Sequence, residues 1–549
     1  MAYSHLLEGE ESAPKGAAQN AEEVLMEIWK LRDKGTPMKQ FRVGMVVACL
    51  ALLATQALAQ ISSVEGPLPT GPGSSIFIAA DVPGARLSIP LTPYGYVEEE
   101  YFVKGTAAAY THSPSGPNVL RAKFPYTTRI IVRRPADPKR FSGVVHFEPI
   151  HPTQGYVGHW MVLDRYLMSR GDVYVAAGVG DADKGWSGSP HNSNESAPVG
   201  SHSVTKWFDP QRYSALQWPE EEGIRYEVMA DIGRKLRGED KDNPLRGMSV
   251  KAMLVGGWSY TGSIQRVFIN EGFHDRARLA NGRPVFDGYL VGVSSQWNDP
   301  GYLPLYNDEP FVPVGDARRN LKKSDARVIE FLTESEVDLG TGPQAPDSDE
   351  RLGGHRLYEL GGVIHVANLA DPTLSEREEP AVAQLLQRGY PLKQVPVEPV
   401  FSCPIAQSDI PEGAFVRAAV DNLRRWVLEG KAPPRAETLA LNGKKLARDE
   451  VGNPKGGIRA AEFVVPLARY GRYEGGDKPS CREDRPYPFV FLLRNELSPQ
   501  ELYRRYQSPR HYLDLYDSEI DRLVRQRWLL REDGLRLKAK AIEDATRQF

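Results

Sequence analysis

The sequence predicts an α/β fold whose core is a mainly parallel sheet with helices on both faces. Its first sign is a series of β-branched runs about five or six residues long, the usual length of a buried strand. These runs lie at 129–133, 143–147, 173–177, 250–255, 289–293 and 328–332. Its second sign is helical spacing between several of the runs, at 160–169, 220–235 and 263–270. Strands that alternate with helices indicate βαβ units and hence a parallel sheet.

The flanks of this alternating region have other patterns. Residues 61–125 are richer in Pro, Gly and Thr, which favours antiparallel edge strands, with Glu98, Glu99 and Glu100 expected to face solvent there. Two stretches without hydrophobic periodicity, about 178–213 and 296–325, are expected to be loop insertions. Helical spacing returns at 413–430 and 518–549, so we expect a helical C-terminal extension over about 400–549.

The composition narrows the functional classes. The chain has 549 residues, of which 41% are hydrophobic and 25% are charged, as in soluble globular proteins. Its 68 basic and 71 acidic residues give a net charge of -3, so no overall field draws it onto nucleic acid. Disordered and multi-span membrane proteins are excluded, and nucleic acid is not an expected partner.

The N-terminal region has the pattern of an export signal. Lys39 and Arg42 precede an apolar stretch at 43–54, and the small residues of Ala57-Leu58-Ala59 suit a signal peptidase. The apolar stretch is shorter than the roughly 20 residues that span a bilayer. We therefore expect a signal peptide at 38–59, cleavage after Ala59 and a secreted or periplasmic protein without a stable membrane span. Residues 1–37 are expected to be a non-native or disordered extension.

Cysteine usage agrees with export. Cys49 lies in the predicted signal peptide, which leaves Cys403 and Cys481 as a candidate disulfide. Two unrelated buried thiols are the alternative, because spacing in the sequence does not show whether the two Cα atoms approach each other. Neither cysteine has a partner at metal-site spacing, and no metal is expected.

A candidate nucleophile lies between a predicted strand and a predicted helix. The run VKAMLVGGWSYTGS places Ser259 at this turn, within Gly257-Trp258-Ser259-Tyr260-Thr261-Gly262. A nucleophile elbow holds its serine in a strained turn with the hydroxyl exposed, and the next backbone amide binds the oxyanion. The usual motif is G-x-S-x-G, whereas here Thr261 occupies the fifth position and the glycine follows one residue later. Tyr260 would supply the amide.

A serine nucleophile needs a base and an acid, which follow it in the order acid, then histidine, in this kind of fold. Just beyond the strand at 328–332 the sequence offers three carboxylates, Glu334, Glu336 and Asp338. His365 lies in a Gly-containing loop after a further short strand at 356–360, so it is the predicted base. His355 precedes that strand, and His274 lies close behind the elbow's own helix.

Several segments together resemble a known family of alpha/beta hydrolase domain proteins. They are GYVEEEYFVKGTA (95–107), PYTTRIIVRRPAD (125–137), FSGVVHFEPI (141–150), FDPQRYSAL (208–216), VGGWSYTGS (255–263), VIEFLTESEV (328–337) and RLYELGGVIHV (356–366). GGIR (456–459) and the closing SPQELYRRY and LLREDG are also similar. The resemblance runs in order along nearly all of the chain after the signal peptide. It implies an α/β-hydrolase fold and a single domain over 60–549 with insertions and an extension.

The resemblance also implies a triad of Ser259, His365 and Glu336, with Asp338 as the alternative acid. The stretch HFEPIHPTQG differs from the family's Asn-containing form, so the second oxyanion donor, placed near Ile150, is less firmly indicated. The implied activity is hydrolysis of a small carboxylic ester through an acyl-enzyme, with no cofactor. A secreted binding module on the same fold is the alternative. Neither the acyl size nor the oligomeric state follows from the sequence.

Overall fold

Buried β-branched runs form the central sheet of the protein in a computed structural model. The residues that the structure describes are 60–85, 87–152, 157–181, 200–294, 302–310, 312–313, 315–339, 345–363, 365, 380–390, 408–472 and 492–549. The strands are β1 Gln60–Glu65, β2 Tyr96–Thr111, β3 Asn118–Pro135, β4 Val144–Ile150, β5 Val173–Gly178, β6 Ala252–Trp258, β7 Gly288–Gly292, β8 Arg327–Thr333, β9 His355–Leu360, β10 Leu441–Asn442, β11 Lys445–Leu446, β12 Ala468–Arg472 and β13 Leu492–Glu496. Strands β1 to β9 form one sheet in the order β1-β2-β3-β5-β4-β6-β7-β8-β9.

Helices connect and cover these strands. They are α1 Gly158–Arg170, α2 Ser201–Phe208, α3 Arg225–Leu236, α4 Tyr260–Asn270, α5 Phe273–Arg276, α6 Glu334–Leu339, α7 Pro380–Gln387, α8 Glu412–Glu429, α9 Ala461–Val464, α10 Pro499–Tyr506, α11 Pro509–Arg525 and α12 Arg531–Gln548. From β5 to β9 in the sheet order all neighbours run parallel. Strands β1, β2 and β3 extend the sheet in antiparallel fashion. The predicted fold class is therefore confirmed.

Helices cover both faces of the parallel strands because those strands are apolar on both sides. On one face, Leu254 of β6 belongs to the same buried cluster as Leu163 of α1 and Leu423 of α8. On the other face, the ring of Phe147 of β4 lies 5.3 Å from that of Phe286, which in turn lies 5.7 Å from the ring of Phe268 in α4. Burying a side chain of this kind contributes roughly 1.5–3 kcal/mol.

The antiparallel edge departs from the expectation that Glu98, Glu99 and Glu100 face solvent. Glu100 is completely buried and pairs with Arg129 over 2.7 Å, while Glu98 pairs with Arg133 over 2.6 Å. In the ladder of β2 and β3, Glu98 lies directly opposite Arg133, whereas Glu100 lies diagonally to Arg129, and these arginines hold the two carboxylates inside the protein. An acidic run in a strand is thus not always a solvated edge.

The expected loop insertion at 178–213 contains a helix, α2, while residues 182–199 lie outside the described residues. The predicted helix at 413–430 is α8, which ends at Gly430 with φ 69°. The predicted helical stretch at 518–549 corresponds to the end of α11 and to α12. Residues Gln60–Phe549 form one compact unit. The predicted signal peptide and the preceding extension lie outside the described residues.

The C-terminal extension joins the sheet at its β9 edge. A parallel bridge pairs Leu360 with Ile458, and the Ile458 amide donates to the Glu359 carbonyl over 2.7 Å. Arg417 of α8 binds Asp533 of α12 through an ion pair of 2.6 Å. In the part of the chain described, no helix is both long and apolar enough to cross a bilayer.

Candidate active site

The site lies where the parallel strands end. Strands β4, β6, β7 and β8 run in the same direction, so their carboxyl ends meet at one edge of the sheet. Ile150 closes β4, and Ser259 directly follows β6. In open α/β sheets, ligands bind in the crevice outside this edge.

Ser259 occupies a strained turn between β6 and α4. Its φ of 56° and ψ of -119° lie in a region that residues with a side chain rarely adopt, at a strain of about 1–3 kcal/mol. The Ser259 amide donates to the Gly292 carbonyl of β7 over 3.0 Å, which anchors the turn to the neighbouring strand. Because α4 begins at Tyr260, the positive end of its dipole lies beside the serine.

Thr261 explains the departure from the usual elbow motif. The Trp258 amide donates to Thr261 Oγ1 over 2.7 Å, and Thr261 Oγ1 donates to the Trp258 carbonyl over 2.9 Å. The hydroxyl therefore closes the turn across Ser259. The close approach that needs a glycine falls at Gly262, where a Cβ atom would lie 2.4 Å from the Gly292 carbonyl oxygen. The elbow, residues 257–262, thus keeps its tight turn with the glycine shifted by one position.

The structure brings Ser259, His365 and Glu336 into one hydrogen-bonded chain. Ser259 Oγ donates to His365 Nε2 over 2.7 Å, and His365 Nδ1 donates to Glu336 Oε1 over 2.5 Å. Glu336 is completely buried, whereas the surface of His365 is 9% exposed. An acid that holds the Nδ1 proton leaves Nε2 free to accept the serine proton.

Hydrogen bonds to both oxygens fix the Glu336 carboxylate. Its Oε2 accepts the Thr333 amide over 3.0 Å and also binds the Thr333 hydroxyl, while Oε1 receives the imidazole and lies 3.5 Å from Ser335 Oγ. Glu336 lies in the first turn of α6. A carboxylate at that position is favoured by the helix dipole.

The histidine loop, residues 361–365 of which 364 lies outside the described residues, is held from three sides. The His365 amide donates to Ser335 Oγ over 2.9 Å, and Trp258 Nε1 donates to the His365 carbonyl over 3.3 Å. The Gly362 amide donates to Glu334 Oε2 over 2.7 Å. The other oxygen of Glu334 binds Arg448 of the C-terminal extension.

A second buried acid lies behind the triad. Glu412, the first residue of α8, is 1% exposed, and within the described part of the chain neither of its carboxyl oxygens has a hydrogen-bond partner. Burial, together with the negative charge of Glu336, raises the pKa of Glu412 well above its ordinary value. The shift favours the protonated form of Glu412, whereas Glu336 is the carboxylate that contacts the imidazole.

The predicted oxyanion donors, Tyr260 and Ile150, lie at the same edge. Tyr260 directly follows the serine, and the His151 ring, next to Ile150, lies 5.5 Å from the Tyr260 ring. Arg225, which is 1% exposed, donates to the Tyr260 hydroxyl over 2.6 Å. The Tyr260 side chain is thereby fixed from behind by a cation.

The other predicted residues lie away from the triad or outside the residues that the structure describes. Asp338 belongs to α6, but its side chain is outside the described residues, as are Cys403 and Cys481. His274 is buried, within 2.9 Å of the Tyr289 hydroxyl and 2.7 Å of Asp325. Thr333, Ser335 and Arg448 were not predicted, and Glu334 was considered only as a triad acid, since only folding brings these polar groups to the loop.

One group outside the site has the spacing of metal ligands. His274, Asp275 and Asp325 offer ligand atoms within 4.8 Å of one another. Arg278 binds Asp325 over 2.6 Å and Asp275 over 3.2 Å, and Tyr289 contacts the imidazole. A guanidinium that already binds both carboxylates competes with a metal cation for them, so the group does not suit a cation site.

The fold and the elbow define an α/β-hydrolase. The chain belongs to the alpha/beta hydrolase domain family, whose sequence model matches residues 64–539. The resemblance of the sequence to this family is thus confirmed, and the general class is that of a hydrolase. No curated protein matches the chain significantly by sequence.

Solved structures show distant similarity. An esterase from Pyrobaculum calidifontis is 13% identical, with 54% of this chain and 85% of that chain covered and a TM-score of 0.26. A thermostable esterase from Pseudomonas putida is 15% identical, with 70% of this chain and 99% of that chain covered and a TM-score of 0.27. A dienelactone hydrolase from Anabaena variabilis is 9% identical, with 52% of this chain and 96% of that chain covered and a TM-score of 0.23. Similarity this low says nothing about what the present chain acts on.

Proposed function

We propose that the chain is a serine hydrolase that cleaves small carboxylic esters through an acyl-enzyme on Ser259. The observation that carries this proposal is the unbroken chain of hydrogen bonds from Ser259 Oγ through His365 to Glu336. A serine hydroxyl is a weak nucleophile until a base removes its proton, and the base needs an acid that fixes its tautomer. Here both requirements are met in one connected set.

In the first step, Ser259 Oγ attacks the ester carbonyl while His365 Nε2 takes the hydroxyl proton. The imidazolium that forms is stabilised by Glu336, and the oxyanion is bound by backbone amides at Tyr260 and near Ile150. His365 then gives its proton to the departing alcohol, which leaves the acyl group on Ser259. The Ser259 amide is itself bound to the Gly292 carbonyl, so the donor from the elbow is that of the next residue.

In the second step, His365 removes a proton from water, which attacks the acyl carbonyl. Collapse of the second tetrahedral intermediate releases the acid and returns the proton to Ser259 Oγ. The elbow geometry supports this scheme because strain holds the hydroxyl in position before the substrate arrives.

A serine-directed fluorophosphonate tests the proposal directly. We expect the purified protein to form one covalent adduct, located at Ser259 by peptide mass spectrometry, and Ser259→Ala to form none. The matched control is Ser263→Ala, four residues along the same helix, which should be labelled at the rate of the parent protein. A folded parent protein that takes no label would instead favour a binding module on this fold.

The substrate class follows from a second measurement. Aryl esters of graded acyl length should be cleaved with a single optimum in kcat/KM. Ser259→Ala should lower that value at least about 10⁴-fold, because only binding and the oxyanion site would remain. A loss of less than about tenfold would mean that another group carries the reaction.

We also propose that the protein is exported. The Lys39 and Arg42 charges, the apolar stretch at 43–54 and the small residues before Gln60 support this. Expression of the whole chain in a Gram-negative host should yield a periplasmic or extracellular product whose N-terminal residue is Gln60. A cytoplasmic product that retains residues 38–59 would contradict the proposal.

A further inference from the structure

A cavity of about 330 Å³ lies in the C-terminal extension, and none of its lining residues belongs to the proposed triad. Helices α8, α9, α11 and α12 and strands β12 and β13 contribute to its described lining. Its volume is at the lower end of the range found for small-molecule sites. The lining contains both apolar and charged side chains.

The basic residues of the lining are already neutralised by the protein. Arg417 binds Asp533 over 2.6 Å, and Arg494 lies 3.2 Å from Asp409. Lys540 binds Asp409 over 2.9 Å. An anionic guest would therefore have to displace a protein carboxylate from each of these cations.

Glu462 differs from these basic residues, because one of its carboxyl oxygens lacks a hydrogen-bond partner among the described residues. Its Oε1 accepts the Tyr516 hydroxyl over 2.7 Å, while Oε2 is buried and has no hydrogen-bond partner among the residues that the structure describes. A buried polar atom left without a partner loses its hydrogen bonds to water and gains none in return, so it requires an explanation. The last torsion of a glutamate is soft, so a small rotation can present this oxygen to a guest while Tyr516 stays bound.

Aromatic rings complete the wall. Tyr470, Tyr512 and Tyr516 line the cavity and are all nearly buried. The hydroxyls of Tyr470 and Tyr516 donate to carboxylates, to Asp409 over 2.9 Å and to Glu462 over 2.7 Å. Ring faces attract cations, most strongly where water is excluded.

We propose that this cavity binds a small organic cation, a primary ammonium ion on an aromatic or alkyl body, with its charge on Glu462. The ammonium N–H groups supply the donor that Oε2 lacks, and the tyrosine rings add cation–π attraction. The hydrocarbon body then contacts the apolar side of the lining, which includes Val465, Leu467 and Leu537. The site is distinct from the proposed hydrolase site and does not depend on it.

The charge of Glu462 makes this binding depend on pH. Burial raises the pKa of Glu462 to about 7, and the charge of Asp409 adds to this effect. The hydrogen bonds from the Tyr516 hydroxyl and from the backbone amide of Glu462 itself oppose it, as does the charge of Lys540. The other titratable groups around it are Tyr470, Tyr512 and Tyr516, whose pKa values burial raises above the ordinary value, so these phenols remain neutral. Binding of a cation should therefore strengthen as Glu462 loses its proton.

Calorimetry with 2-phenylethylammonium tests the proposal, using full-length Ser259→Ala protein so that turnover plays no part. Alkyl ammonium groups stay charged below about pH 9, whereas a carboxyl with a pKa of about 7 goes from about one-tenth to nine-tenths ionised between pH 6 and pH 8. We expect the amine to bind about tenfold more tightly at pH 8 than at pH 6. The neutral 2-phenylethanol and the anionic 3-phenylpropanoate should bind at least tenfold more weakly.

Two variants identify the carboxylate. Glu462→Gln should weaken amine binding at least tenfold and remove its pH dependence, with the fold checked by circular dichroism. The matched control is Glu543→Gln, an exposed acid of the same lining, which should change the affinity less than threefold. The proposal is overturned if the alcohol binds as tightly as the amine, if Glu462→Gln binds normally, or if the amine shows no binding at millimolar concentration. Each of these outcomes leaves the proposed hydrolase untouched.

Discussion

The elbow and the histidine loop supply two consecutive members of one hydrogen-bonded chain, Ser259 and His365, but they are stabilised in different ways. Within the elbow, Trp258 and Thr261 hold each other through hydrogen bonds that span only three positions. The histidine loop is held by groups 28 to 107 positions away, on α6 and on the elbow, and Glu334 of α6 links it in turn to Arg448 of the C-terminal extension. Hydrogen bonds between residues close in the sequence thus close the elbow, whereas the histidine loop is held by residues that only folding brings to it.

This difference indicates which changes each half tolerates. The elbow depends on a few residues in a short motif, so damage to it should come from nearby substitutions. The histidine loop depends on a network that includes Glu334, Ser335 and Arg448, so distant substitutions should reach the base. Buried networks of this kind are sensitive because removal of one partner leaves the others unpaired.

The largest effect is expected from Glu336→Gln. The amide removes the charge that stabilises the imidazolium and favours the wrong tautomer of His365, a change that lowers kcat by about 10³- to 10⁴-fold in enzymes of this type. The measurement is kcat with an aryl ester, together with circular dichroism to verify the fold.

Asp338→Asn is the matched control, because Asp338 is the alternative acid on the same helix. It should retain kcat within a few-fold. If Asp338→Asn abolishes activity while Glu336→Gln retains it, the acid has been assigned to the wrong residue.

Glu359 provides a test of how the extension is attached to the strand that leads into the histidine loop. It is 4% exposed in β9 and accepts the Leu439 amide over 2.6 Å, and burial raises its pKa to about 7. The folded protein therefore holds this proton more tightly than the unfolded chain, so stability falls as the pH rises from about 4.5 to 7. Glu359→Gln removes the penalty and should stabilise the protein by up to about 3 kcal/mol at pH 8.

Urea unfolding at pH 5 and pH 8 measures this effect. The gain should fall to about 1 kcal/mol or less at pH 5, where the folded protein keeps the proton and the unfolded chain is only just past its own pKa. Glu437→Gln, at an exposed position of the same extension, should show no difference between the two pH values. An equal gain at both pH values would mean that packing, rather than ionisation, is responsible.

The local half of the site was predictable from the sequence, and so was most of the sheet. The strand before Ser259, the turn and the helix after it are contiguous, and their pattern survives the shift of the glycine to 262. His365 was predictable from its place after β9 because the order of the strands determines which loops meet. The family resemblance selected Glu336, since spacing alone left Glu334 and Asp338 open.

The remaining features have no signal in a single sequence. The burial of Glu100 depends on its pairing with Arg129 across a ladder, which an acidic run does not reveal. Val293, at the end of β7, has a φ of 39° that its β-branched side chain disfavours, and nothing nearby in the sequence predicts it. The bond between Arg448 and Glu334 joins positions more than a hundred residues apart.

Arg448→Met tests whether the extension supports the base. Without the guanidinium, the nearly buried Glu334 loses its ion pair and no longer holds the Gly362 amide in place, which should lower stability by about 2–3 kcal/mol. We expect kcat/KM to fall about tenfold. The double variant Glu334→Gln/Arg448→Met removes the unpaired charge and should recover part of the stability. Arg469→Met, at an exposed salt bridge, is the control and should change both values little.

The smallest effect is expected from Thr261→Val, which concerns the local half alone. Valine keeps the shape of threonine but leaves the buried Trp258 amide without the acceptor that it has at 2.7 Å, at a cost of about 1–2 kcal/mol. Thr261→Ser keeps the hydroxyl and loses only a methyl group, worth about 0.8 kcal/mol. If the hydroxyl closes the elbow, kcat/KM should fall several-fold in the valine variant and stay near the parent value in the serine variant. Equal losses in the two variants would instead assign the effect to packing around the methyl group. The size of the Thr261 side chain, rather than its hydroxyl, would then explain why threonine stands at the position of the usual glycine.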